Sequence, residues 1–301
     1  MKPRHGGAFK QNYLCMHCII NFRKGAFYVA IAMLMFTACH PAANTGLTND
    51  DDNGGYASDA SRIELVNNDV ISIADAAGTL YNGGAMRTTQ TTSAFGTCAL
   101  VGSDTTITPH QLTIRFGDQD CVCLDGKARR GTIIVYYSGE YTDTDQIHTI
   151  TFSNYYINDN QVTGGIYTSR VDTTVTGNWY YRETVNDTLN MSINSLQSQY
   201  IIWTGNLVRK WITGYATPAD RSDDAFSISG SATLTRPSGH QFRFDITAPL
   251  QINLNCSYTE AGVVNVTGVA GARILNYGSA NCDPNAQISI YPHVYNILLT
   301  P

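Results

Sequence analysis

The densest run of reactive side chains is CVCLDGKARRG at residues 121–131. Two thiols, Cys121 and Cys123, stand there beside Asp125, Lys127, Arg129 and Arg130, with Asp118 and Asp120 just upstream. Two thiols at this spacing could supply half of a zinc site. A tetrahedral site needs further ligands, however, and no second pair stands at ligand spacing; His110 and His148 belong to other segments. Asp125-Gly126 is a turn dipeptide, so the stretch predicts a β-hairpin in which Lys127, Arg129 and Arg130 are solvated charges offsetting nearby aspartates. No metal site and no cofactor is expected. CMHC at residues 15–18 lies ahead of an export signal and is assigned no metal or redox role.

Catalytic motifs are missing from the chain: there is no Gly-x-Ser-x-Gly, no His-Glu-x-x-His and no glycine loop suited to a phosphate. Glutamate occurs only at 64, 140, 183 and 260, so a glycosidase acid pair would have to come from distant segments without a local cue. No catalytic residue is assigned, and the reading leans away from an enzyme. Aromatic rings cluster at Tyr136-Tyr137, Tyr155-Tyr156, Trp179-Tyr180-Tyr181, Tyr200 and Trp203. Neighbouring rings on a strand face opposite sides of a sheet. Tyr156, Trp179, Tyr181 and Trp203 are therefore candidates for stacking a glycan or apolar ligand, against the plainer alternative of core filling and cross-strand pairing.

The remaining cysteine of interest is Cys39. Residues 26–38 form an apolar run preceded by Arg23 and Lys24. As a helix the run would be about 20 Å long, too short for a hydrocarbon core of about 30 Å. Basic residues, a short apolar run and then small residues make the layout of a secretory signal, and Met16 as a start would give it ordinary length. Phe36-Thr37-Ala38-Cys39 resembles the lipobox of bacterial lipoproteins, with Phe36 where leucine is usual. The resemblance implies cleavage before Cys39, a diacylglycerol thioether on its sulfur and an acyl chain on the new amino terminus. At about 0.8 kcal/mol per buried methylene, several chains make a lasting anchor.

Of the 19 Lys and Arg residues, five precede Cys39 and no acid does, which leaves 14 cations against 24 acids, a balance of −10. Lys127 and Lys210 are the only lysines among them. A basic patch for nucleic acid or anionic lipid is excluded, so membrane attachment falls to the lipid alone. Charged residues are 14% of the chain, well below the roughly 25% of ordinary soluble domains, as in exported β proteins. In such a compartment Cys98, Cys121, Cys123, Cys256 and Cys282 are expected to form disulfides with one cysteine left over. Cys256 with Cys282 is one pair, its loop contributing about 3–4 kcal/mol by chain entropy. Cys98 with Cys121 or Cys123 is the other.

These residues need a scaffold. Residues 1–38 read as the signal, and 39–60 as the lipidated cysteine followed by a flexible tether reaching about 25 Å. The NDDDNGG stretch within it has Ala60 where a calcium loop beginning at Asn49 needs a bidentate glutamate, so calcium is rejected. Ser61 to Glu64 form a capping-box pattern, and Ile63, Val66, Val70, Ile73, Ala74 and Ala77 follow at helical spacing. One amphipathic helix is predicted within 61–80, with Gly78 able to end it. From residue 81 to 301 the period is two. Phe226, Ile228, Ala232 and Leu234 alternate with polar residues, as do Phe242, Phe244 and Ile246, and His148, Ile150 and Phe152. GTIIVYYSG at 131–139 is apolar at both parities, which predicts a central strand covered on both faces. The fold expected is all-β: an antiparallel sandwich or half-barrel of about a dozen strands, its apolar face covered by a second sheet, by the helix or by a ligand.

The stretches LTIRFGDQDCVCLDGKARRGTIIVYYSGEYTD, TITFSNYYINDNQVTGG, VRKWITGYAT, FSISGSATLTRPSG and LNYGSANCDPNAQISI resemble a family of Bacteroidota-type outer-membrane lipoproteins of uncharacterised function. The resemblance runs from about residue 96 to the C-terminus and brings no catalytic residue or ligand. It implies an outer-membrane lipoprotein with an all-β body. In that group an acidic stretch close behind the lipidated cysteine resembles a surface-export signal; here Asp50 to Asp52 come eleven residues after Cys39, and the side of the membrane stays open. The leading expectation is a non-enzymatic domain that binds or scaffolds a glycan, lipid or protein of the envelope. A lipid carrier with a half-barrel cavity and an envelope glycan hydrolase are the alternatives.

Overall fold

The computed structural model describes residues 54–80, 97–171, 180–193, 197–214, 216–217 and 220–301. Among the described residues one helix, α1 (Gly55–Leu80), is followed by thirteen strands. They are β1 (Leu100–Asp104), β2 (His110–Val122), β3 (Ala128–Tyr137), β4 (Ile147–Ile157), β5 (Asn160–Val171), β6 (Tyr180–Ile193) and β7 (Gln197–Thr213). After a 3-10 turn at Arg221–Asp223 come β8 (Ala225–Thr235), β9 (Gln241–Asn253), β10 (Ala261–Gly268), β11 (Gly271–Ser279), β12 (Asn285–Ile290) and β13 (His293–Leu298). All belong to one antiparallel sheet in chain order, open between β1 and β13. Of the architectures expected from sequence, this is the half-barrel arrangement and not the two-sheet sandwich.

Local chemistry sets the turns. Asn158 and Asp159 join β4 to β5 with both residues at positive φ, 47° and 62°, the two-residue hairpin that suits right-twisted strands. The tip of the β2–β3 hairpin closes with Gly126 N–H donating to the Cys123 carbonyl at 3.0 Å, and Gly126 takes φ +76°. Alternation then sorts the side chains. Phe226, Ile228, Ala232 and Leu234 are buried, as are Phe242 and Phe244. In β3, Ile133 and Val135 are buried while Ile134 and Tyr136 are only partly so. The strand expected to be covered on both faces is covered on one.

The inner face of the sheet is filled by α1. Tyr56 stacks on Phe242, Gly54 faces Ile288 and Ile297, and Gly78 receives the Tyr141 ring. Three boundaries differ from the sequence reading. The helix begins at Gly55, so the last residues of the expected tether are helical. Ser61 does not cap; its hydroxyl bonds Thr259 Oγ1 at 2.9 Å. Gly78 does not stop the helix but makes room for Tyr141. The physical reason is common to all three: the sheet supplies partners along the whole helix, so tertiary contacts override local start and stop signals. Burial is not confined to one stripe, for Ser61, Glu64, Asn67, Asn68, Asp69, Ser72 and Asp75 are buried along with the apolar residues.

Candidate functional site

A buried carboxylate costs several kcal/mol unless it is paired, and α1 carries three. Asp69 lies near the middle of the helix. Arg129 Nη2 donates to both its oxygens at 2.8 Å, Lys127 Nζ approaches to 3.2 Å and Arg221 Nη2 to 2.9 Å. Arg221 also donates to the Asp69 carbonyl at 3.0 Å. Lys127 and Arg129 come from the β2–β3 hairpin, Arg221 from the 3-10 turn before β8. The helix carboxylate thus ties together two segments about ninety residues apart in the chain. Asp125 completes the clasp, accepting Arg129 Nη1 at 2.8 Å and Nη2 at 2.6 Å. Burial alone would raise the Asp69 carboxyl, but Arg129, then Lys127 and Arg221, hold it well below the usual range.

A second group lies further along the helix. Arg209 on β7 is fully buried, 3.8 Å from Asp75 and 3.9 Å from Glu183, with its guanidinium 3.7 Å from the centroid of the Phe226 ring. Burial pushes Glu183 up to about 8 against the pull of Arg209. Glu64 accepts Trp203 Nε1 at 3.1 Å, yet burial, with Asp187 adding repulsion, raises it to about 7. Burial raises Asp187 to about 8 against the pull of the Asn67 side chain beside it. Asp224 accepts from Ser72 at 3.1 Å and Trp211 at 3.2 Å, and burial lifts it to about 6. These acids carry the perturbed acidities that mark functional sites, but they sit between helix and sheet, where a sugar chain cannot reach them. Their arrangement does structural chemistry: it fixes the rotation and depth of α1 within the sheet.

The sequence reading of Arg129 as a solvated charge is corrected by this geometry. Arg130 does pair with Asp120 at 2.6 Å and Asp159 at 2.9 Å near the surface, whereas Arg129 points inward. The signal was present in the parity of the strand. Arg129 shares its parity with Ile133 and Val135 in β3, and Arg209 with Trp203, Leu207 and Trp211 in β7. Glu183 and Asp187 share theirs with Tyr181, Val185 and Leu189 in β6. A charge at an inward position of a strand asks for a buried partner, and the acids of α1 supply the partners for both arginines.

Of the four candidate stacking residues, the three that are described do not share an exposed face. Tyr181 and Trp203 are buried core residues, Tyr156 is half-buried beneath the Arg130 guanidinium at 3.9 Å, and Trp179 lies outside the described residues, as does Cys39. Inward parity explains the first two. The sulfurs of Cys98 and Cys121 are bonded to each other, as are those of Cys256 and Cys282, and Cys123 is the buried free thiol. Glu260 lies beside Cys256 and Cys282, but a disulfide offers no thiolate, so these residues make no metal site.

Space for a ligand is distributed unevenly. The cavity between helix and sheet beside Glu64 and Trp203 holds only about 10 Å³, enough for one water molecule. On the outer face a shallow concavity of about 430 Å³ crosses β6 to β9, lined by Thr184, Asn186, Thr204, Asn206, Thr233 and Arg243. Another, of about 360 Å³, crosses β11 to β13 between Asn276, Gln287 and Asn296. Fold and site together define a class of architecture, an open thirteen-stranded antiparallel sheet wrapped on a helix that carries buried acids. No family model, no curated protein and no solved structure compared with the chain matches it.

Proposed function

We propose that this chain is an exported protein anchored to the outer membrane through lipid on Cys39, with a β body that binds or scaffolds other envelope components and performs no chemistry itself. The observation that carries the reading is Cys39 itself, set after a basic pair, a short apolar run and small residues. Two disulfides in the body fit an oxidising compartment. Among the described residues no helix is long and apolar enough to cross a membrane, so the lipid is the means of attachment in this reading. The resemblance to Bacteroidota-type lipoproteins points the same way. Because α1 fills the inner face, the outer face and edges of the sheet are the surfaces open to partners. A carrier with its cargo inside the half-barrel, and a hydrolase using the buried acids, each need space that the helix occupies. Mass spectrometry of the mature N-terminal peptide tests the anchor. A peptide beginning at a diacylglyceryl, acylated Cys39 is expected; an unmodified Cys39 or cleavage elsewhere overturns the proposal. Protease shaving of intact cells then assigns the side of the membrane.

A further inference from the structure

β13 is the last strand of the open sheet, and β12 is its only neighbour among the described strands. An edge strand presents unpaired backbone groups, and proteins usually protect it with charge, proline or a bulge. His293–Leu298 contains neither proline nor a Lys, Arg, Asp or Glu residue, and its register with β12 is unbroken. Val294 is 60% and Leu298 70% exposed. Between them stands Asn296, the end of a row of amides. Asn276 pairs with Gln287 across β11 and β12, Gln287 pairs with Asn296 across β12 and β13, and Gln287 Nε2 donates to Asn296 Oδ1 at 3.0 Å.

We infer that β13 pairs antiparallel with β13 of a second copy of this chain about a two-fold axis through Asn296. Strand parity restricts the register. A continuous sheet keeps inner residues with inner and outer with outer, so the axis must pass through a residue and not between two. An axis at Tyr295 sets Val294 opposite Asn296, and one at Ile297 sets Asn296 opposite Leu298; both match an amide with an apolar side chain. The axis at Asn296 sets Val294 opposite the partner's Leu298 and Tyr295 opposite the partner's Ile297, each twice by symmetry, and Asn296 opposite its own copy. The amide row then runs unbroken across both chains. Such a surface is self-complementary, as a two-fold dimer requires. It is also small, below the area of a standard stable interface, so the dimer is weak and concentration-dependent. The inference does not depend on the lipid anchor.

The test is sedimentation velocity of the full chain in detergent from about 1 to about 500 µM, the range expected for a small interface, together with oxidative cross-linking of Asn296→Cys. A dimer fraction that rises with concentration and a 296–296 disulfide are expected. Asn285→Cys, one strand in, should not cross-link. Val294→Lys with Leu298→Lys places like charges opposite each other and should abolish the dimer. Val294→Lys with Leu298→Glu places opposite charges at both contacts and should restore it, which a misfolded variant would not do. A chain that stays monomeric throughout overturns the inference. So does a dimer indifferent to the lysine pair, or a dimer lost equally in both double variants.

Discussion

Replacing Asp69 by asparagine removes one charge and keeps the shape, which makes it the sharpest probe of how the sheet holds its helix. Three cations converge on this carboxylate, and the side chains of Arg129 and Asp69 itself are each only 1% exposed. Asp125 remains to pair with Arg129, but Arg221, 4.0 Å from Asp125, loses its close charge partner. Breaking a buried pair from one side costs about 3–5 kcal/mol. For a body of this size each kcal/mol lowers the melting temperature by about 2–4 °C, so a drop of about 6–20 °C is expected. Thermal and urea unfolding followed by circular dichroism measure it. Asp245→Asn is the comparison: Asp245 pairs with Arg243 at 2.7 Å with both side chains exposed, and its loss should cost about 1 kcal/mol or less. The pH dependence has a definite sign. A carboxyl held below its unfolded value stabilises above that value and loses this contribution as pH falls through its folded pKa. The gap between Asp69→Asn and the natural chain should therefore narrow below about pH 4. An Asp69→Asn protein as stable as Asp245→Asn at neutral pH would refute the view that this clasp holds the helix in place.

Three further outcomes follow from the same structure. Glu64, Glu183 and Asp187 are raised to about 7, 8 and 8, so the folded chain binds protons that the unfolded chain has released; their contribution is complete below their unfolded values near 4 and is lost as pH rises toward 8. Urea midpoints should fall from pH 5 to pH 8, and Asp187→Asn, which mimics the protonated acid, should flatten that slope. Gly131 sits at φ +86° with a Cβ position overlapping the Asn154 backbone, so Gly131→Ala should destabilise by about 3 kcal/mol in urea unfolding. Cys123 is buried and burial raises its thiol; alkylation at pH 8 with peptide mapping should leave it unlabelled in the folded chain and label it in denaturant.

How much of this was legible in the sequence differs from element to element. Period-two patterns such as Phe242 and Phe244 mark strands because a half-buried sheet imposes that period whatever its topology. Asp125-Gly126 marks its hairpin because glycine reaches the positive φ of the turn, 76° at Gly126, without a steric cost. The clasp was half legible. Arg129 stood at an inward parity beside Ile133, which says that a partner is needed, but its partner Asp69 is sixty residues away in a helix whose spacing suggested one apolar stripe. The helix ends were misread for the same reason, since Thr259 and Tyr141 reach it only through the fold.

By itself, the sequence determined an all-β body after one helix, an acidic balance and a set of cysteines suited to disulfides. Each is a matter of composition or short-range spacing. Only the tertiary structure decided that the sheet is single and open, that α1 fills its inner face, which cysteine takes Cys98, and that Tyr181 and Trp203 face the core. Those outcomes depend on which distant strands meet. Local propensity is silent there, because the energy of a buried charge or ring is set by neighbours that the chain brings together only on folding.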